Sequence, residues 1–439
     1  MIKSLIIAAF LLMLIFMTSC ADNTENLKQG NKAMDKKNWQ GALMYYDKAL
    51  KVDEKCTEAL NKKGYILGLQ GKIDEGLASI NKAIEIKPDY GDAWDNKGFI
   101  FYLQGKFDEA AKSIDKALEI DQKDKKAWCN KGNIFQAQQK YEEAIKNYDK
   151  AIEIDPNNMD PWKYKGIALI STNKSEEAVK CFDKAIEIDP KEMINWIGKG
   201  DALYQLGKYE EAIKCFDNVL DNDYTLLYQL GKFEEVQECS DKVLKINQKN
   251  REALNCKGIM LAYSQKYDEA GKYFDRAVEA DKNYTRAWCN KAKNLSIQGK
   301  PEEALKYYDK AIESDPKSIN AWKYKGLTLI ALKKYDEAVK CSDKVLELDP
   351  EDLNGLMNKG NALYQSNKFE ESVKCFDKML EKLPDNVMVL ASKGMALAGL
   401  KKYQEAVASY DKALAIDPNN TYIQASKEEA LKAIGPEKK

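Results

Sequence analysis

Tryptophan recurs in this chain at a fixed interval. Trp94, Trp128, Trp162 and Trp196 are each 34 residues apart, and so are Trp288 and Trp322. Other columns keep the same step. Four residues after each of these tryptophans stands a small residue (Gly98, Gly132, Gly166, Gly200, Ala292, Gly326), and twelve further on an alanine (Ala110, Ala144, Ala178, Ala212, Ala304, Ala338). A bulky residue follows four later (Ile114, Tyr148, Phe182, Phe216, Tyr308), with Ser342 the exception, and then Ala117, Ala151, Ala185 or Ala311. Proline closes the period at Pro88, Pro156, Pro190, Pro316, Pro350, Pro384 and Pro418. A period of this length, sustained over residues 23–420, argues for an array of small units: each copy is too short to bury its own apolar face, so copies must stack.

Each copy holds two apolar runs at helical spacing, separated by Gly-Lys-Tyr/Phe-Asp/Glu-Glu-Ala. Glycine at that point can take the left-handed conformation that ends a helix. The acidic pair after it falls in the first turn of the second helix and complements the macrodipole. Proline cannot continue a helix and restricts the residue before it, so Asp-Pro ends the copy. Small columns let the two helices approach, and the tryptophan and bulky columns fill the space between neighbouring pairs.

The period and its W…G…A…F…A…P spacing resemble the tetratricopeptide repeat. That resemblance implies an all-α fold, a right-handed superhelix (α-solenoid) of stacked helix-turn-helix hairpins. Copies are read at 23–56, 57–90, 91–124, 125–158, 159–192, 193–223, 224–250, 251–284, 285–318, 319–352, 353–386 and 387–420. Six form an N-terminal array, 23–223, and five a C-terminal array, 251–420. Residues 421–439 follow as a capping helix, Thr421 to Ile434, and a tail begun by Gly435 and Pro436.

The copy at 224–250 is short. Ala202-Leu203-Tyr204-Gln205-Leu206-Gly207-Lys208 recurs as Leu226-Leu227-Tyr228-Gln229-Leu230-Gly231-Lys232 only 24 residues later. Ten residues are missing, and they are expected to come from the loop and the front of the first helix, which leaves about seven, Tyr224 to Leu230. A defect is expected here: a bend, an opening in the groove, or a seam between two half-arrays. There is also a larger repeat. Trp128-Cys129-Asn130-Lys131 matches Trp288-Cys289-Asn290-Lys291, and Ala202-Leu203-Tyr204-Gln205 matches Ala362-Leu363-Tyr364-Gln365, each at an offset of 160. Duplication of a five-copy block explains it and predicts two related docking surfaces.

Residues 1–19 differ from the rest. Lys3 precedes an apolar run from Leu5 to Met17, then Thr18 and Ser19, as in a secretory signal. The run is shorter than the roughly 20 residues of a membrane span. Met17-Thr18-Ser19-Cys20 resembles the lipobox of prokaryotic lipoproteins, departing from it at Met17 where leucine is usual. The resemblance implies cleavage before Cys20, lipidation of that cysteine, a short tether at 20–22 and attachment without spanning. An ordinary cleaved signal or an uncleaved anchor is the alternative. The expected location is the cell envelope of a prokaryote; nine thiols beyond Cys20 sit awkwardly with an oxidising exterior, which an anaerobic habitat, or an intracellular protein with a misread signal, would resolve.

Composition narrows the function. There is no histidine, so histidine-based triads and most neutral-pH general bases are absent. The 69 basic and 70 acidic residues nearly cancel, which argues against a nucleic-acid partner. Of ten cysteines, Cys181, Cys215, Cys239, Cys341 and Cys375 share one column and no C-x-x-C occurs, so zinc or thioredoxin-like chemistry is unsupported. The recurring carboxylate pairs belong to helix starts. No catalytic residue, metal or cofactor is expected, and the chain is read as a binder and not an enzyme.

In the resembled family the first helices line a concave groove. Carried over, that implies groove positions at Phe99, Tyr102, Asn133, Lys163, Asp201, Tyr204, Gln205, Lys293, Lys323, Asn361, Tyr364 and Gln365, with Asp95, Cys129, Gln136, Ile167, Ile170, Ile197, Cys289, Leu327 and Met357 in the same columns. Tyrosine and asparagine suit peptide contact, and grooves take extended or helical peptides. The lysine–asparagine set with which some relatives clamp a C-terminal carboxylate is incomplete. The expectation is a membrane-tethered scaffold that binds protein segments and organises an envelope complex. A soluble exported receptor for peptides or carbohydrates, or an accessory to a catalytic partner, is the alternative.

Overall fold

A computed structural model describes residues 23–435; the signal, the tether and Cys20 lie outside them. The described residues form twenty-four α-helices and no strand. The chain divides into two compact units between Lys208 and Tyr209. The first holds α1 (23–35), α2 (Trp39–Val52), α3 (Thr57–Leu69), α4 (Ile73–Ile86), α5 (Gly91–Leu103), α6 (Phe107–Ile120), α7 (Lys125–Ala137), α8 (Tyr141–Ile154), α9 (Met159–Ser171), α10 (Ser175–Ile188) and α11 (Met193–Gln205). The second holds α12 (Tyr209–Gln229), α13 (Phe233–Ile246), α14 (Arg251–Tyr263), α15 (Tyr267–Ala280), α16 (Thr285–Ile297), α17 (Pro301–Ser314), α18 (Ile319–Ala331), α19 (Tyr335–Leu348), α20 (Leu353–Gln365), α21 (Phe369–Leu380), α22 (Val387–Gly399), α23 (Tyr403–Ile416) and α24 (Thr421–Ile434). Within each unit consecutive helices pair as hairpins, and the hairpins stack.

The turn inside each hairpin uses one left-handed residue. Glycine supplies it at Gly71, Gly105, Gly207, Gly231 and Gly299; Lys37, Gln139, Asn173, Gln265, Lys333, Asn367 and Lys401 supply it elsewhere with φ near +60°. Most second helices then start on a lysine with no side-chain cap, and the acidic pair of the first turn (Asp108 and Glu109 in α6, Glu142 and Glu143 in α8) offsets the exposed N–H dipoles instead. Many first helices are capped by side chains: Asp124, Asn158, Asn250, Ser318, Asp352 and Asn386 each accept a backbone N–H of the first turn. The tryptophans have a second task beyond filling space. The Trp128 indole N–H donates to the Gln122 carbonyl at 2.9 Å, and Trp94, Trp162, Trp196, Trp288 and Trp322 do the same six residues back, pinning the turn between copies.

Within a hairpin the bulky column packs on the small one. A Cβ added at Gly132 would lie 2.4 Å from the Tyr148 ring, and one at Gly394 2.5 Å from Tyr410. At Gly326 the ring is replaced by Ser342, and the nearest atom would be 3.4 Å away. Outside this core runs a ladder of ion pairs at a separation of sixteen residues, among them Lys63–Asp47 (2.7 Å), Lys131–Asp115 (2.7 Å), Lys165–Asp149 (2.5 Å), Lys325–Asp309 (2.5 Å) and Lys359–Asp343 (2.7 Å). At Lys97 the residue sixteen positions back is Asn81 where the ladder has aspartate, and burial lowers that lysine's pKa.

The separate seven-residue helix expected at Tyr224 to Leu230 does not form. The second helix of the sixth copy and the first of the seventh are one continuous helix, α12, of 21 residues. The missing segment carried the proline stop, and Asp221-Asn222-Asp223 contains neither proline nor glycine. Extending an existing helix adds a hydrogen bond per residue, whereas a new seven-residue helix would need its own unfavourable nucleus.

Candidate functional site: the first-helix wall and its cavity

Within each unit, first helices touch the first helices of the next copies: α3 on α5 and α9 on α11 in one unit, α14 on α16 and α16 on α18 in the other. Side chains on their outer faces therefore form a continuous strip. The expected positions divide between this strip and the core. Phe99 and Tyr102 are half-buried, Phe99 against Tyr65 (5.6 Å between centroids) and Tyr102 against Phe107 (6.0 Å). Asn133 and Gln136 accept the Tyr148 hydroxyl at 2.9 and 3.0 Å, so both brace the core. Lys163 pairs with Asp160 at 2.8 Å and lies over the Tyr164 ring. Asp201 and Tyr204 are half-buried, and the exposed Gln205 accepts from Ser175 at 2.6 Å.

In the second unit Lys293 and Lys323 converge on one ring, their ammonium groups 4.8 and 5.2 Å from the Tyr324 centroid. Asn361 is half-buried, Tyr364 packs on Phe369 at 5.6 Å, and Gln365 is exposed. Ile167, Ile170 and Met357 are half-buried and Leu327 is exposed. Asp95, Cys129, Ile197 and Cys289 are buried and do not reach the strip. Asp95 instead pairs with Lys126 at 2.8 Å and accepts from Asn130 at 2.7 Å. Burial pushes the Cys129 thiol up to about 12 and those of Cys181 and Cys341 up to about 11, so these sulfurs are protonated, weak nucleophiles at neutral pH. No disulfide joins the nine cysteines of the described residues. Among the described residues no cluster of His, Cys, Asp or Glu could hold a metal ion, and no helix is long and apolar enough to cross a membrane.

Spacing alone missed the neighbourhood of α12. The sixteen-residue ladder would give Asp217 a lysine at 233, but the shortened copy puts Phe233 there. Asp217 is fully buried, while ladder aspartates are about half exposed. Its Oδ2 accepts from the Tyr284 hydroxyl at 2.5 Å and from Arg286 at 2.6 Å, and its Oδ1 from Asn255 at 2.8 Å. Arg286 also donates to Asn218. Burial, then the Asp217 charge, raises the Tyr284 pKa well above that of a free phenol.

Beside this network a cavity of about 280 Å³ opens between α12, α14, α15 and α16. Leu220, Ile259, Tyr263, Tyr267, Phe274 and Ile297 line it, with Gln265, Asn290, Lys293 and Asn294 as its polar groups. Tyr228, Phe233 and Tyr263 form an aromatic cluster at 5.0–5.7 Å. The sequence did carry a signal: Asn294 stands in a column filled mostly by apolar residues, Ile66, Ile100, Ile134, Ala168, Ala202, Leu226, Met260, Ala362 and Ala396, with Lys32 and Thr328 the other polar members.

Models of the tetratricopeptide repeat match residues 27–91, 91–124, 126–158, 147–180, 165–224, 285–318, 307–340 and 357–421, together more than half of the chain. The chain belongs to the tetratricopeptide repeat family. Proteins of this family act as protein- and peptide-binding scaffolds, and the fold is typically non-catalytic. The matched ranges break off at 224, inside the fused helix, and resume at 285. Solved structures similar to this repeat chain include the Cut9-Hcn1 hetero-tetramer of the APC/C (14% identity, 94% of this chain and 91% of that one, TM-score 0.41) and yeast Tom70 (16%, 94% and 95%, TM-score 0.40). Another is YrrB, described as a TPR protein with an unusual peptide-binding site (23%, 39% and 88%, TM-score 0.31). The comparison with curated proteins found no match.

Proposed function

We propose that this chain is a non-catalytic scaffold that binds segments of partner proteins along its first-helix wall, held at a prokaryotic membrane through a lipid on Cys20, and that it organises an envelope complex. The observation that supports binding is the strip itself, which sets tyrosines, amides and lysines side by side on touching helices in both units. Such surfaces combine large contact area with adaptable hydrogen bonds. Tethering rests on residues 1–20 alone. Buried, high-pKa thiols fit an exported chain, because burial keeps them from pairing at random.

Crosslinking in the native host, with a photoreactive residue at Tyr102, Lys323 or Gln365, tests the binding. Discrete protein partners are expected, and an absence of crosslinks from all three would remove the scaffold reading. Radiolabelled fatty acid should enter the wild-type chain and not Cys20→Ala; label in both would remove the tether.

A further inference from the structure

We infer that the cavity beside the fused helix takes the indole of a tryptophan in a partner segment. The inference rests on the scaffold reading and names the residue type that one part of the wall selects. Asn294 is 3% exposed. Its Nδ2 donates to the Tyr267 carbonyl at 3.0 Å, which fixes the amide orientation, since a flip would oppose two acceptors. Its Oδ1 is then buried with no hydrogen-bond partner among the described residues. A buried acceptor left open in a mostly apolar column is costly, so its presence points to a donor that arrives from outside.

The surroundings specify what carries that donor. Leu220, Ile259, Phe274 and Ile297 offer an apolar lining. Gly271 stands where every other copy but the fused one, which has Gln237, carries leucine, isoleucine, valine or alanine, and a Cβ there would meet only Asn294, at 3.7 Å. A space of about 280 Å³ admits one large side chain and its backbone, and excludes a folded partner. Tyr228 and Ile297, both 56% exposed, and Tyr263, 40% exposed, give an apolar and aromatic surround. Indole is a large apolar body with a single N–H and no acceptor, and it seeks a partner for that N–H when buried. It meets each of these conditions.

The test uses the full chain and two probes of one shape, indole and indene, which lacks the N–H. Ligand-observed NMR titration should show indole bound about tenfold more tightly, the ordinary worth of one buried hydrogen bond. Asn294→Leu should bring the ratio to about one. Apolar residues fill this column in most other copies, so the variant should keep its helical circular dichroism; if it does not fold, the wild-type ratio decides alone. Equal affinity of the wild-type chain for the two probes, or an unchanged ratio in folded Asn294→Leu, would overturn the assignment. A random peptide library selected on the same chain separates this from the scaffold reading. Tryptophan-bearing peptides that lose about tenfold in affinity on Trp→Ala support both. Peptides without tryptophan that crosslink only elsewhere on the wall overturn the cavity and keep the scaffold. A preference for indole with no peptide selected keeps the cavity and overturns the scaffold.

Discussion

A regular copy and the fused copy handle an aspartate at the same repeat position in opposite ways. Asp149 sits half in water and meets Lys165 sixteen residues on. Asp217, from the same column, lost its lysine when ten residues were lost, and is sealed under Arg286, Tyr284 and Asn255 from copies further along. The ladder is a set of exposed, replaceable pairs. The network is a single buried charge whose removal leaves its partners unsatisfied. A small change in repeat length has thus moved an ion pair from decoration to core.

The largest expected effect breaks this contrast. Arg286→Ala should cost about 3–5 kcal/mol in urea unfolding, since it leaves Asp217 buried without its counter-ion. Lys165→Ala, its counterpart in the ladder, should cost at most about 1 kcal/mol. Equal losses in the two would erase the distinction.

Packing gives a second contrast. Gly132→Ala pushes a methyl group into the Tyr148 ring and should destabilise by roughly 1–3 kcal/mol in the same measurement. Gly326→Ala, where Ser342 leaves room, should stay within about 0.5 kcal/mol.

Turn residues work in the other direction. Lys333→Gly or Gln265→Gly relieves a left-handed backbone on a residue with a Cβ and should raise stability by about 0.5–1 kcal/mol, read as a higher melting temperature. The smallest effect is expected from Asn81→Asp, which completes the rung at Lys97 and should add no more than about 1 kcal/mol, lost again in high salt.

Acidity should follow the buried groups. Cys129 is raised to about 12, Cys181 and Cys341 to about 11, and Tyr410 to about 12, from 9.0 for a thiol and 10.0 for a phenol. The unfolded chain therefore loses these protons first. Their contribution to stability is complete below pH 9 and declines as the pH rises from about 9 to about 12. Urea midpoints that hold steady across that range would contradict the burial of these residues.

Periodicity decided much of this protein before any coordinate was known: two helices per copy and the turns between them. It succeeds because each copy makes the same local contacts, so one alignment of columns describes eleven of twelve hairpins. It also located the irregularity. It could not foresee that two helices would merge there, because the cost of starting a short helix depends on what the preceding helix can do. Nor could it see that Asp217 would find Arg286, 69 residues away, or that Asn294 would face an open cavity. Those are contacts between copies brought together by a missing turn. Tertiary structure alone decides them, since burial and the pairing of charges depend on distance in space and not along the chain.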